Sequence, residues 1–181
     1  MIEYAIGVIA GEGCFTFGYK RKDGNIYPNP IFVVKLKDND VETLKVLKRE
    51  FNDVGKISYE SGRDMAAWRV HGKEDMKNVV NKIYENGPDG WWESEKAKNF
   101  EIWADIIEIY CDGYTDSEQA IEIFDLAKEL NADNGREKNY KGIIKEIEEN
   151  SYGHICGAEK SSSDGKCQRR VPTESETCWD H

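Results

Sequence analysis

The 181-residue sequence predicts an α+β fold built on one antiparallel sheet, followed by further helices and a short polar tail. Three observations carry the prediction. Residues 14–20 and 31–36 are extended in pattern and flank the turn residues Asp23-Gly24-Asn25, and residues 55–60 and 66–71 repeat the arrangement around Ser61-Gly62-Arg63-Asp64. From Glu74 almost to residue 150 the apolar residues recur at helical spacing.

Each element follows from its residues. Ile2 to Gly11 is apolar and small, with Gly7 and Gly11 four apart, so a short helix here presents a glycine face that another backbone can approach; Gly13 ends it. Cys14 to Lys20 alternates aromatic and polar as a strand does, and Ile31 to Leu36 is its hairpin partner. Asp38 to Asp40 offers a helix cap before Val41, Leu44, Val46, Leu47 and Phe51, which repeat as one helical face. Gly55 to Glu60 and Ala66 to His71 form the second strand pair. Four helical stripes follow: Met76, Val79, Val80, Ile83 and Tyr84; Phe100, Trp103, Ile106, Ile107 and Tyr110; Ala120, Ile123, Phe124, Ala127 and Leu130; and Ile143, Ile144 and Ile147. The periodicity stops after Asn150, which divides the chain into a domain over 1–150 and a tail over 151–181.

Composition restricts the function classes. No apolar run approaches the ~18 residues that span a bilayer, and no basic-then-apolar leader is visible, so a cytoplasmic chain with no membrane partner is expected. Five cysteines, three of them in the last 26 residues, argue against a disulfide framework and fit a reducing compartment. The net charge of -10 opposes nucleic-acid binding, but it is unevenly spread. Residues 1–70 hold 11 basic and 10 acidic side chains, whereas 71–155 hold 10 and 20, the acid sitting on solvated helix faces.

The run Ala5-Ile6-Gly7-Val8-Ile9-Ala10-Gly11-Glu12-Gly13-Cys14-Phe15 resembles the LAGLIDADG motif of homing endonucleases, in the variant ending Gly-Glu-Gly-Cys-Phe. The downstream order of two strands, the helix with Leu44-Lys45-Val46-Leu47-Lys48, the turn Val54-Gly55-Lys56-Ile57 and the helix start at Lys96 to Phe100 is similar to that of single-motif members. The resemblance covers residues 2 to about 110, more loosely to 150, and implies an αββαββα core with extra C-terminal helices.

It further implies a homodimer whose motif helices pack through their small residues, each bringing one acid, here Glu12, to the scissile phosphates of double-stranded DNA. Carboxylates are the donors that Mg²⁺ or Mn²⁺ requires, and paired metals activate water and stabilise the leaving oxygen. Lys96 or Lys98 would supply the active-site lysine that family members place before the long helix. Alternation from Glu12 turns Thr16, Gly18, Lys20 and Lys22 one way. By register with family members Asn29, Ile31, Val33, Lys35, Lys56, Ser58, Arg69 and His71 complete a DNA-reading face, with Lys20, Lys22, Lys35, Lys56, Arg69 and His71 as its cationic candidates. The sequence departs from the motif at Ala10, where the family usually has an Asp, which favours the alternative of a degenerate member that binds DNA without cutting.

The tail carries Cys156, Cys167, Cys178 and His181 as C-x10-C-x10-C-x2-H, in a segment with hardly any core residues of its own. Three thiolates and an imidazole suit a closed structural Zn²⁺ site whose binding energy replaces apolar burial; His154 is a substitute ligand. The segment is similar to short Cys3His modules appended to other domains, and its role divides between stabilisation and partner contact. Cys14 and Cys111 read as core thiols, and Trp91-Trp92 as a pair packing its loop onto the core.

Overall fold

The computed structural model describes residues 1–22, 25–113, 117–130, 140–149, 154–155 and 170–171. Helix α1 (Ile2–Glu12) leads into strand β1 (Gly13–Lys22), which pairs antiparallel with β2 (Asn25–Lys37). A 3-10 turn at Asp38–Asp40 precedes α2 (Val41–Glu50), then β3 (Lys56–Tyr59) and β4 (Met65–Val70). Helices α3 (Lys73–Asn86), α4 (Asp89–Trp92), α5 (Glu95–Asp112), α6 (Ser117–Glu129) and α7 (Lys141–Glu149) follow. Two short strands, β5 (His154–Ile155) and β6 (Arg170–Val171), pair with each other. The main sheet is four-stranded and antiparallel, as the sequence pattern predicts, and its strands run in the order β1-β2-β4-β3.

Strand β2 is 13 residues long and starts at Asn25, six residues before the expected start at Ile31. Pro28 and Pro30 mask this extension in the sequence. They lie opposite Tyr19 and Phe17 of β1, whereas β4 pairs only with Phe32 to Lys37. The proline half of β2 therefore has a neighbour on one edge alone, where a missing N–H is tolerated. The expected Asp38–Asp40 cap is a 3-10 turn with no side-chain cap bond, and β4 ends at Val70, leaving His71 in the link to α3.

The core lies between one face of the sheet and the helices. Phe15 and Phe32 stack across β1 and β2 with ring centres 5.2 Å apart, Phe15 meets Trp103 of α5 at 5.3 Å, and Phe32 meets Trp68 of β4 at 5.3 Å. All four side chains are essentially buried, which stabilises by roughly 1.5–3 kcal/mol for a residue of this size. Phe17 extends the core toward Phe124 of α6 and Tyr140 just before α7, at 5.2 and 5.7 Å. Arg21 at the far end of β1 makes a two-armed ion pair with Glu146 of α7, so the later helices brace the tip of the hairpin.

Two glycines fix the turns that aim the sheet. Gly55, ahead of β3, has φ +70°, and an added Cβ would sit 2.4 Å from the Arg69 carbonyl oxygen. Gly13 closes α1, and a Cβ there would lie 2.6 Å from the Ile9 carbonyl oxygen. Trp91 is buried and Trp92 donates its indole N–H to the Gly87 carbonyl at 3.1 Å, so the pair packs its loop as the sequence suggests. Cys111 is half-buried, and burial pushes its thiol up to about 11. Among the described residues no helix is long and apolar enough to cross a membrane.

Candidate nucleic-acid interface

Helix α1 has two unlike faces. Ala5, Ile6 and Ile9 are buried against the core, while Tyr4, Gly7 and Gly11 form a stripe on the outer side. A Cβ at Gly7 or Gly11 would meet nothing within 4 Å, and Tyr4 is 55% exposed. The chain thus presents an open glycine stripe running to Glu12, the exposed last residue of the helix.

Lys96 reaches this end of α1 from α5. Ser94 caps α5, its hydroxyl oxygen accepting from the Ala97 N–H at 3.1 Å, which places Lys96 in the first turn. From there its ammonium donates to the carbonyl oxygen of Gly13, the residue after Glu12, at the negative end of the helix. Lys98 instead pairs with Glu95 on the exposed side of α5. The fold separates the two lysine candidates: Lys96 stands beside Glu12's helix end and Lys98 does not.

A single chain supplies one carboxylate here, and among the described residues no group of three or more metal-ligating side chains comes together. The donor chemistry still fits half of a hard-cation site. Glu12 is exposed, and the last carbonyls of α1 lack intrahelical donors, so every atom on offer is oxygen.

The outer face of the sheet gathers the remaining candidates. Antiparallel register sets Thr16 opposite Ile31, Gly18 opposite Asn29 and Lys20 opposite Tyr27. Val33 lies opposite Arg69, which in turn faces Lys56, and Lys35 and Ser58 both face Ala67. Because side chains alternate, these residues and Lys22 share the face turned away from Phe15, Phe32 and Trp68. His71 follows β4 on the same parity; burial, then the nearby charges of Lys20 and Arg69, hold its imidazole below the usual histidine range.

The cations on this face are not equivalent. Lys20, Lys22 and Lys56 are exposed, whereas Lys35 and Arg69 both bind Glu60, at 2.8 and 2.5 Å. Arg69 also donates to the Ser58 hydroxyl at 2.9 Å. Glu60 was not among the expected site residues. Its position, two residues beyond Ser58, is the sequence signal that puts it on this face. The hydrogen bond from Lys35, seconded by Arg69, holds its carboxyl below the usual carboxylate range.

Cys156, Cys167, Cys178 and His181 lie outside the described residues. The backbone register of β5 and β6 pairs His154 with Val171 and Ile155 with Arg170.

An αββαββα core with a four-stranded antiparallel sheet, and an exposed acid at the end of a glycine-faced helix, define a mixed α+β fold class. The LAGLIDADG endonuclease family model matches residues 6–107, more than half of the chain, and the protein belongs to that family. No curated protein sequence matches it. Among solved structures the fold is similar to the homing endonuclease I-TnaI (TM-score 0.65, 20% identity, 82% of this chain and 97% of that one). It is also similar to the archaeal intron-encoded homing endonuclease I-Vdi141I in complex with DNA (TM-score 0.71, 18% identity, 82% and 94%). The chain spans 45% of the length of another relative in complex with its DNA target, I-GzeII (TM-score 0.65, 19% identity, 73% of this chain).

Proposed function

We propose that the protein is a site-specific, divalent-metal-dependent DNA endonuclease that acts as a homodimer and cuts both strands of a long, roughly palindromic site. The observation that carries the proposal is the Lys96 ammonium bonded to the carbonyl of Gly13, the residue after Glu12 at the end of the motif helix, together with a sheet face bearing Lys20, Lys22, Lys35, Lys56, Arg69 and His71. The single motif and the open Gly7/Gly11 stripe support the dimer, since two such helices can approach closely only where no Cβ intervenes.

In that assembly the Glu12 carboxylate of each protomer would hold Mg²⁺, with helix-end carbonyls as further oxygen donors. When bound, Mg²⁺ supplies an activated water and stabilises the leaving oxygen. Lys96 keeps a positive charge at the phosphate, held in place by the Gly13 carbonyl. The sheet face enters the major groove, with Lys20, Lys22 and Lys56 contacting phosphates and Val33 and Ile31 near base methyl groups. The tail binds one structural Zn²⁺ through Cys156, Cys167, Cys178 and His181, a reading supported by their spacing in the sequence.

A second reading, a DNA-binding member without cutting activity, is favoured by Ala10, which brings no carboxylate to the motif. Incubating the protein with a randomised duplex library, with and without Mg²⁺, and sequencing bound and cut molecules separates the two. Cut ends flanking a quasi-symmetric site are expected. Bound but uncut DNA would favour the second reading, and no enrichment would overturn both.

A further inference from the structure

We propose that Glu60 is a specificity-setting positioning residue, holding the Arg69 guanidinium so that its free edge reads a guanine. This rests on the DNA-binding reading above and adds to it a base identity and the side chain that orients the reader.

Three strands converge at this point. Lys35 of β2 and Ser58 of β3 both lie opposite Ala67 of β4, with Arg69 two residues further along the same strand. Ala67 is fully buried although it faces outward and lies outside the hydrophobic core, so its methyl group is roofed by its longer neighbours. Over it, Arg69 uses one terminal nitrogen on Ser58 at 2.9 Å and the other on Glu60 at 2.5 Å. Lys35 approaches the same Glu60 oxygen at 2.8 Å.

A guanidinium carries five N–H donors in a rigid fork, and these two contacts leave others unspent. The Arg69 side chain is 30% exposed and that of Glu60 16%, so the carboxylate is the more buried of the pair and the arginine keeps more of its surface open to solvent. The commonest specific contact of such an edge in the major groove is the bidentate pair to guanine O6 and N7. Fixing the side chain beforehand removes the ordering cost that a free arginine meets on binding.

The hairpin does not need this carboxylate to form. The Glu60 N–H donates to the Met65 carbonyl at 2.9 Å, and the Glu60 carbonyl accepts from the Arg63 N–H at 3.2 Å, so backbone bonds close the turn, and the carboxylate adds only a 3.9 Å contact with the exposed Arg63 side chain. The carboxylate also repels phosphate and offsets one of the three cations paired with it, Lys35, Arg69 and, at 3.9 Å, Arg63. Glu60 thus trades general affinity for discrimination.

The test compares the full-length wild type with Glu60→Gln, Arg69→Ala and Ser58→Ala, each equilibrated with a randomised duplex library at several salt concentrations, with thermal melting as the measure of fold. Arg69→Ala marks the base pairs that the arginine reads. In Glu60→Gln the guanine preference at those pairs falls by roughly tenfold, the scale of one lost bidentate pairing. Binding to random duplex tightens, and its salt dependence steepens. Should Glu60→Gln melt early, Ser58→Ala carries the test through the same direction of change in guanine preference. A Glu60→Gln protein matching the wild type base for base overturns the inference alone, as does an even loss of affinity across all sequences. A wild type that enriches no site overturns the DNA-binding reading, and this inference with it.

Discussion

Replacing Gly7 and Gly11 by alanine together sets fold and assembly against each other. Both glycines lie inside α1, and a Cβ at either position meets nothing within 4 Å in the single chain. Helix propensity alone then stabilises the folded chain by about 0.5–1 kcal/mol per site, or about 1–2 kcal/mol for the pair. If the stripe seats the same helix of a second copy, the four added methyl groups of a symmetric pair meet at the closest approach of two backbones. Overpacking of that kind costs about 1–3 kcal/mol, which is roughly 5- to 150-fold in the association constant. Urea denaturation at low protein concentration reads the first effect, and sedimentation equilibrium the second. The expected result is a raised denaturation midpoint with weakened association. Unchanged association in both this variant and Gly11→Leu would refute the placing of the interface on α1.

Three further outcomes follow from the site and its surroundings. Lys96→Met retains the fold but loses cleavage by about 100-fold or more, whereas Lys98→Met cleaves like the wild type; equal rates for the two would remove Lys96 from the mechanism. His71 is held below its usual range in the free protein, so its contribution to stability is present above the unfolded value near 6.5 and lost as pH falls through the lower folded value. Bound phosphates oppose that shift, so DNA affinity rises from pH 7 to 5.5 by at most about tenfold per pH unit per chain, and a His71→Gln variant with the same profile would contradict the assignment. Native mass spectrometry of the full-length protein is expected to find one Zn²⁺ per chain, lost in Cys167→Ser, while Cys111 reacts slowly with thiol reagents at pH 8 because burial holds it protonated. A chain without zinc, or a Cys167→Ser chain that keeps it, would count against the tail site.

The alternation of Cys14 to Lys20 and the two polar turns were enough to give the sheet, because a half-buried antiparallel strand writes its register into every second residue. The same rule turned Thr16 outward, whereas Lys35, Ser58 and Arg69 came to that face only through register with family members. What local pattern could not carry was contact between distant positions. Lys96 and Lys98 are indistinguishable as charges at a helix start, and only the packing of α5 against the start of β1, where α1 ends, separates them across 83 residues. The pairing of Arg21 with Glu146 spans 125 residues, and nothing in the local pattern of β1 foretells it. The first half of β2 was hidden for a different reason. Pro28 and Pro30 oppose a central strand, and only the sheet order reveals that this half is an edge.

The central claim is that Glu12, at the end of the glycine-faced helix, holds the metal that cuts DNA. Its most direct test takes the duplex recovered from the library selection and measures binding and Mg²⁺-dependent cleavage by the wild type and Glu12→Gln side by side. The account predicts double-strand cleavage by the wild type, and for Glu12→Gln a cleavage loss of at least about 100-fold with binding kept within a few-fold. Cleavage by Glu12→Gln at the wild-type rate would contradict it.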